Sequence, residues 1–394
     1  MQENVAAENK ELVELVQEMI RIRSYTGEEG ELVSFLKKAM LAKGFDEITV
    51  DEVGNLTGTV RGTHPGPVLL FDGHLDTVEI GNPDDWEMDP FSGDIREGFL
   101  YGRGTSDMKG ALGAMIHAAG CIDKENLWGS ITVSGTVDEE VAEGISLHRV
   151  LDAIEPDLVV IGESSALRLN TGQRGRAEIS LKTFGKRAHS ASPQVGVNAV
   201  KKMMKLLAGI EAYRPQVHPV LGEAILELTD IISSPYPGAS VVPELCEVTF
   251  DRRLLPGDTQ EVVLAEIEAL LLPNKEEIHY ELAIRGNDVL TWTGKELGGV
   301  RFAPAWNYDV HETWNQTAHQ LLSEAGLVEG LGTYAFCTNG SASAGVRNIP
   351  TIGYGPGNEV QAHTVDEYIE LDSLVRGAKG YQLLMQQMGK EWRN

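Results

Sequence analysis

Basic side chains are scarce in this sequence: 33 Lys and Arg stand against 59 Asp and Glu in 394 residues, a formal charge of −26. A chain this negative is a poor partner for nucleic acid or an anionic membrane, both of which are negative themselves. The acidic residues are spread along the chain, so they read as a solvated, solubilising surface rather than an interaction tail. Cysteine is scarcer still. Cys121, Cys246 and Cys337 are odd in number and far apart, so they form neither a metal-binding pair nor a disulfide framework. They read as buried or half-buried thiols suited to a reducing cytoplasm. No apolar run reaches bilayer length. The opening stretch MQENVAAENKELVELVQEMI is mixed-charge and amphipathic, unlike a signal peptide. Internal repeats and low-complexity segments are missing as well.

With 42% apolar and 23% charged residues the composition is that of a soluble globular protein, and 394 residues predict two domains. Leu12 to Ile22 has helical spacing, and Glu31 to Lys43 reads as a second helix with Gly44 as its stop. Apolar runs then alternate with helical stretches: Val68 to Phe71, Ile131 to Ser134 and Leu158 to Ile161 against Gly110 to Ala119. Continuous apolar runs between helices imply strands buried on both faces, an α/β sheet covered by helices. From about Arg176 the rhythm changes. Strands are expected over Ala177 to Phe184, Cys246 to Leu254 and His279 to Ile284, with helices over Asn198 to Ile210 and Thr259 to Leu272. These make a small α+β sandwich inserted into the first domain, which resumes after Gly286 and ends in a helix over Leu371 to Met388. The expected boundaries are 1–174 and 288–394 for the first domain and 175–287 for the insert.

Strand ends present functional groups in such a sheet. His74 and Asp76 follow the run Leu69-Leu70-Phe71-Asp72 and lie two apart, so on an extended strand they share a side. Asp76 is then placed to accept the second ring N–H of His74 and make it a better metal ligand. His-x-Asp alone is common by chance. Asp107 lies in Tyr101-Gly102-Arg103-Gly104-Thr105-Ser106-Asp107-Met108-Lys109-Gly110, a loop whose glycines permit tight backbone and which lacks phosphate-binding spacing. Its two oxygens suit the bridging of two cations. In Asp138-Glu139-Glu140, after the run ending at Val133, adjacent carboxylates face different ways. One can ligate while the other takes a proton from water. Glu163 ends another predicted strand, and His363 lies on a Gly- and Pro-rich loop. Each clue alone has a bland explanation. Together two His, one bridging Asp, two Glu ligands and one spare Glu describe a two-metal hydrolytic site suited to zinc, with cobalt or manganese as substitutes.

On these motifs the sequence resembles the M20 metallopeptidase family of acetylornithine deacetylases, succinyl-diaminopimelate desuccinylases and carboxypeptidases along almost its whole length. The resemblance implies a zinc-peptidase-like catalytic domain with a central mixed sheet, interrupted by a smaller α+β lid that often dimerises, hence a homodimer. It implies that His74, Asp107 and Glu163 hold one zinc and that Asp107, Glu140 and His363 hold the other. Glu139 becomes the general base and Asp76 the residue orienting His74. Gly185 to Pro193 looks like the lid motif whose His, here His189, helps stabilise the oxyanion. Asp251-Arg252-Arg253 resembles the family's Asp-x-Arg, making Arg253 a binder of a substrate carboxylate, with Arg252 as a competing candidate. Thr338 to Ala342 resembles the loop lining the substrate pocket, which marks Asn339, Gly340 and Ser341. Two departures stand out: Ser240 before Val241-Val242-Pro243, where many relatives have Asn, and Ala342 after Ser341, where desuccinylases have Asp. The implied activity is hydrolysis of the amide bond of a small N-acyl amino acid or short peptide. Deacylase and dipeptidase or carboxypeptidase stay open as alternatives. A non-catalytic binding protein on the same scaffold would be marked by a missing ligand or base, and a zinc phosphoesterase by action on phosphate esters.

Overall fold

The computed structural model describes residues 9–271 and 278–392. The opening residues 1–8, and Leu272 at the end of the helix expected from Thr259, lie outside them. The chain divides into two compact units: Met1–Gln173 with Asp288–Gly298 and Trp306–Asn394, and Arg174–Asn287 with Gly299–Ala305. The sequence boundaries differ from these chiefly at 299–305. The reason is a two-residue strand, Phe302–Ala303, that hydrogen-bonds to the inserted unit's sheet.

In the first unit, helix α1 (Lys10–Arg21) buries Leu12, Val13, Leu15, Val16, Met19 and Ile20, one apolar face at 3.6-residue spacing. Helix α2 (Gly30–Ala42) buries Leu32, Val33, Leu36 and Met40. Strands β1 (Glu47–Val50), β2 (Leu56–Arg61) and β3 (His64–His74) follow, then helix α3 (Gly110–Gly120), β4 (Trp128–Thr136), α4 (Leu147–Ile154), β5 (Leu158–Ile161) and β6 (Leu169–Gln173). Helix α3 is apolar on nearly every side and correspondingly buried. Its Gly113 lets α1 approach, since a Cβ there would lie 2.6 Å from Val16 Cγ2.

The second unit contains β7 (Gly175–Phe184), α5 (Ala199–Ile210), β8 (Ile225–Ser234), β9 (Leu245–Leu254), α6 (Gln260–Leu270), β10 (Tyr280–Ile284) and β11 (Phe302–Ala303). Its sheet runs β8-β9-β7-β10, with β11 also on β7, and every pairing is antiparallel. Ile179, Leu181, Met203, Leu206, Val248, Phe250, Val263 and Ile267 form its core. Strand β8 has no counterpart among the expected elements. Its sequence, ILELTDIISS, mixes apolar and acidic residues without alternation, and most of the strand is exposed.

The first unit resumes with β12 (Trp306–Asn307), α7 (Thr313–Glu324), β13 (Leu331–Tyr334), β14 (Thr351–Gly353) and α8 (Leu371–Glu391). Its mixed sheet has the order β1-β2-β4-β3-β5-β14-β6-β12, with β13 on β6. Strands β4, β3, β5 and β14 are mutually parallel at its centre. Leu69, Phe71, Ile131, Val133, Leu158 and Val160 belong to one core cluster with α1, α3 and α8. Each such side chain, fully buried, contributes about 1.5–3 kcal/mol. Cys246 and Cys337 are buried as expected, but Cys121 is exposed, because it falls at the end of α3 where the buried stretch stops.

Candidate metal centre

Because β4, β3 and β5 are parallel and in register, with His74 opposite Thr136 and Asp72 opposite Ile161, their C-terminal ends share one edge of the sheet. His74 is the last residue of β3, Glu139 and Glu140 follow the end of β4, and Glu163 follows β5. Two further ligand candidates come from loops. Asp107 sits in the turn before α3, entered through Gly104 at φ +87, where a Cβ would stand 2.9 Å from Thr77 Cγ2. His363 has φ +62, in the left-handed region, on the loop before α8.

The structure brings these groups together around Asp107. Its Oδ1 lies 3.0 Å from His74 Nε2, which is also 3.5 Å from Glu163 Oε1. Its Oδ2 lies 3.3 Å from His363 Nε2, which is 2.9 Å from Glu140 Oε2. One carboxylate thus faces two separate His–carboxylate pairs, one through each oxygen. Glu139 stands beside the first pair, with a donor within 4.8 Å of those of His74 and Glu163.

A dense network holds this arrangement. The Glu367 carboxylate accepts from Arg103 Nη1 at 2.7 Å and from the N–H groups of Gly104, Ser106 and Asp107 at 2.8–3.0 Å. Lys109, two residues after Asp107, donates from Nζ to the carbonyls of Met19 and Ile22, and burial draws its amine down to about 7. Glu367 lies four residues beyond His363, but nothing in its own surroundings in the sequence sets it apart from a surface glutamate.

Asp76 departs from expectation. His74 Nδ1 lies 2.9 Å from the Asp76 backbone carbonyl oxygen and 3.6 Å from its Oδ1. The carbonyl therefore takes the ring N–H and leaves Nε2 as the ligand atom. The Asp76 carboxylate instead accepts from Thr26 Oγ1 and from the N–H groups of Glu139 and Glu140. The same-side geometry of alternate residues needs an extended strand, and β3 ends at His74.

The residues present fit a pair of divalent cations. Glu139 Oε1 and Glu140 Oε1 are buried without a hydrogen-bond partner. Burial pushes Glu163 up to about 8, Glu140 up to about 7, and Glu139 well above the ordinary carboxylate range. Against its own burial, hydrogen bonds from His363 and His74 hold Asp107 well below that range. Four carboxylates share two imidazoles here, and buried carboxylate charge beyond what they compensate is costly. Imidazole and carboxylate donors are those of zinc, cobalt or manganese. Two donors on a tetrahedral zinc lie roughly 3.3 Å apart, close to the separations of 2.9–3.5 Å found around Asp107.

The remaining candidates are placed as follows. Asn339 is 2% exposed, and its side chain is fully engaged. Nδ2 donates to Asp72 Oδ2 and Thr136 Oγ1, while Oδ1 accepts from Gly144 N–H. It ties a loop to the sheet. Gly340 and Ser341 are also buried. In the second unit, Arg252 is 1% exposed and bonded to Tyr213 and to Glu266 at 2.7 Å. Arg253, the other candidate, is partly exposed and bonded to Asp251 at 2.8 Å through Nε. His189 is exposed on a two-residue strand opposite Val241–Val242. Its Nδ1 accepts the Ala191 N–H at 3.0 Å.

Comparison with known proteins points the same way. The model of "Peptidase family M20/M25/M40" matches residues 70–387. YgeY of Escherichia coli strain K12 is 31% identical over 378 residues, 94% of this chain and 93% of that protein. The acetylornithine deacetylase of Proteus mirabilis is 28% identical over 331 residues, covering 80% and 78%. Among solved structures, the YXEP protein of Bacillus subtilis, a dinuclear metal-binding peptidase of family M20, superimposes with a TM-score of 0.69. Its identity is 11%, over 98% of this chain and 99% of that one. With the family match spanning most of its length, this chain belongs to peptidase family M20/M25/M40 and is a metal-dependent hydrolase.

Proposed function

We propose that the protein hydrolyses the amide bond of a small N-acyl amino acid, with zinc as its native metal. The division of the Asp107 oxygens between two His–carboxylate pairs carries the two-metal part of this reading. His74, Asp107 and Glu163 would hold one ion, and Asp107, Glu140 and His363 the other. Bound there, two divalent cations polarise the scissile carbonyl and acidify a water. Glu139 takes a proton from the attacking water on its carboxylate and delivers it to the leaving nitrogen, so that amine and acid are released. Its burial, with no hydrogen bond to Oε1, suits a group that must pick up and give back a proton. In His189, the Ala191 N–H on Nδ1 leaves the ring proton of the neutral form on Nε2, a donor suited to an oxyanion. By the family resemblance Arg253 would bind a substrate carboxylate; Gly340 and Ser341, marked by the same resemblance, are buried beside Asn339. A dipeptide or carboxypeptidase substrate is the second reading, favoured by the same Arg253.

The second unit offers a surface for a second copy of the chain. Strand β8 is an edge strand ten residues long. Leu228, Ile231, Ile232 and Tyr236 are exposed on it or just beyond it. A free apolar edge is a template for pairing, and twofold pairing of identical edges closes a dimer. Cysteines outside any disulfide and an acidic surface accord with a cytoplasmic enzyme; among the described residues no helix is long and apolar enough to cross a membrane. The deciding experiment measures amine release from N-acetyl, N-succinyl, N-formyl and N-carbamoyl amino acids and dipeptides. The zinc-loaded enzyme is run beside Glu139→Gln. Release from an acyl amino acid that vanishes in the variant supports the proposal. Release from dipeptides alone moves the enzyme to the peptidases.

A further inference from the structure

Glu139 and Glu140 follow the end of β4 on a segment whose three successive N–H groups donate to side-chain carboxylates. Asp138 N–H donates to Glu29 Oε1 at 3.3 Å, Glu139 N–H to Asp76 Oδ1 at 3.1 Å, and Glu140 N–H to Asp76 Oδ2 at 3.2 Å. The Glu139 and Glu140 amides converge on one carboxylate, that of Asp76, as consecutive amides do in a nest, and the Asp138 amide goes to Glu29. Asp138 itself has φ +58, a left-handed conformation that the surroundings must hold in place.

Both carboxylates belong to one braced assembly. The connector from α1 to α2 runs beside residues 75–77. Thr77 N–H donates to the Ser24 carbonyl at 2.9 Å, Ser24 Oγ to the Leu75 carbonyl at 2.7 Å, and Thr26 Oγ1 to Asp76 Oδ2 at 2.8 Å. Glu29 ends this connector. It is fully buried, and its Oε2 has no hydrogen-bond partner. A glutamate there is neither solvated nor ion-paired, and its side-chain bond goes to the amide next to Glu139.

We infer that Glu29 is a positioning residue whose Oε1, together with the Asp76 carboxylate, clamps the amides of Asp138–Glu140 and so aims the Glu139 and Glu140 side chains. The connector 24–29 is then part of the active-site framework. The inference rests on the reading of Glu139 as the proton-transfer group.

The test compares Glu29→Met, which keeps volume but cannot accept, with Glu29→Gln, which can. Glu139→Gln is run in parallel. Three things are measured on the zinc-loaded proteins: hydrogen exchange at the amides of residues 138–140, zinc content, and kcat and KM on the best amide of the panel. In Glu29→Met the three amides exchange about tenfold faster and kcat falls about tenfold with KM nearly unchanged, two zinc ions still bound. Glu29→Gln restores protection and most of the turnover, which a merely space-filling role would not require. Unchanged exchange in Glu29→Met, or faster exchange with wild-type kcat, overturns the inference, as does an equal loss in both variants. If Glu29→Met does not fold, Glu29→Ala takes its place. Should Glu139→Gln keep wild-type turnover, the role of Glu139 fails, and the exchange data still judge the clamp.

Discussion

The two units treat polar and apolar groups in opposite ways. The first unit buries charge. His74, Asp76, Glu139, Glu163 and Glu367 are each at most 5% exposed, and each has a defined neighbour. The second unit exposes apolar surface. Ile225, Leu228, Ile231, Ile232 and Tyr236 lie between 39% and 78% exposed on one edge strand and just beyond it. Buried charge is tolerated only where other groups compensate it, so the first unit reads as a site built for cations. An exposed apolar strand edge is a template for pairing, and on it rests the proposal that the second unit meets a second copy of the chain.

The sharpest break in this comparison is Glu139→Gln. It removes the proton-transfer group but no metal ligand, and kcat should fall by about 10²–10⁴-fold. Elemental analysis should still find two ions. Normal turnover would detach the buried charge from the chemistry.

Glu367→Ala tests whether buried charge in the first unit is compensated pair by pair. It strands Arg103, 3% exposed, without its partner. Loss of one member of a buried ion pair costs about 3–5 kcal/mol. Urea unfolding of the metal-free protein should show a loss of that order, and metal affinity should drop as the loop of Asp107 loosens.

Ile231→Lys tests the second unit. A charge on the open edge should shift the sedimentation coefficient from dimer to monomer, at a stability change within about 0.5 kcal/mol. An unchanged coefficient would assign the edge to something other than a second copy.

The smallest effect is on pH dependence. In the metal-free protein, burial raises Glu163 to about 8 and Glu140 to about 7 from 4.5. A carboxyl raised in the folded state contributes stability that is complete below its unfolded pKa and lost as pH rises through the folded one. His363, raised to about 10 from 6.5 by hydrogen bonds to Asp107 and Glu140, loses its contribution in the same direction above pH 6.5. The Tm of the metal-free protein should therefore fall between about pH 5 and 8. Saturating zinc should flatten the part of that slope due to Glu140, Glu163 and His363, while Glu29, Asp72 and Asp138, raised to about 8, 7 and 7, keep theirs; a slope that zinc leaves unchanged would mean the carboxylates are not ligands.

Much of the first unit was legible because its signals are local. The apolar runs at Val68, Ile131 and Leu158 are buried parallel strands, and a parallel sheet delivers whatever follows each run to one edge. His74, Glu139, Glu140 and Glu163 could therefore be picked out as residue types at strand ends. Strand β8 could not, because an edge strand exposed on both faces has no pattern imposed by a core.

The sequence by itself determined which residues are able to ligate and which runs are buried, since both depend on side-chain chemistry and short-range period. Only the tertiary structure decided their partners. Asp76 serves the amides of Glu139 and Glu140 rather than the ring of His74, and Glu367 reaches back 264 residues to Arg103. Glu29 bonds across 109 residues to Asp138. Asn339, placed in the substrate pocket by resemblance, ties Asp72 to Thr136. A hydrogen bond is a relation between two groups, and when they lie hundreds of residues apart only closure of the chain brings them within about 3 Å.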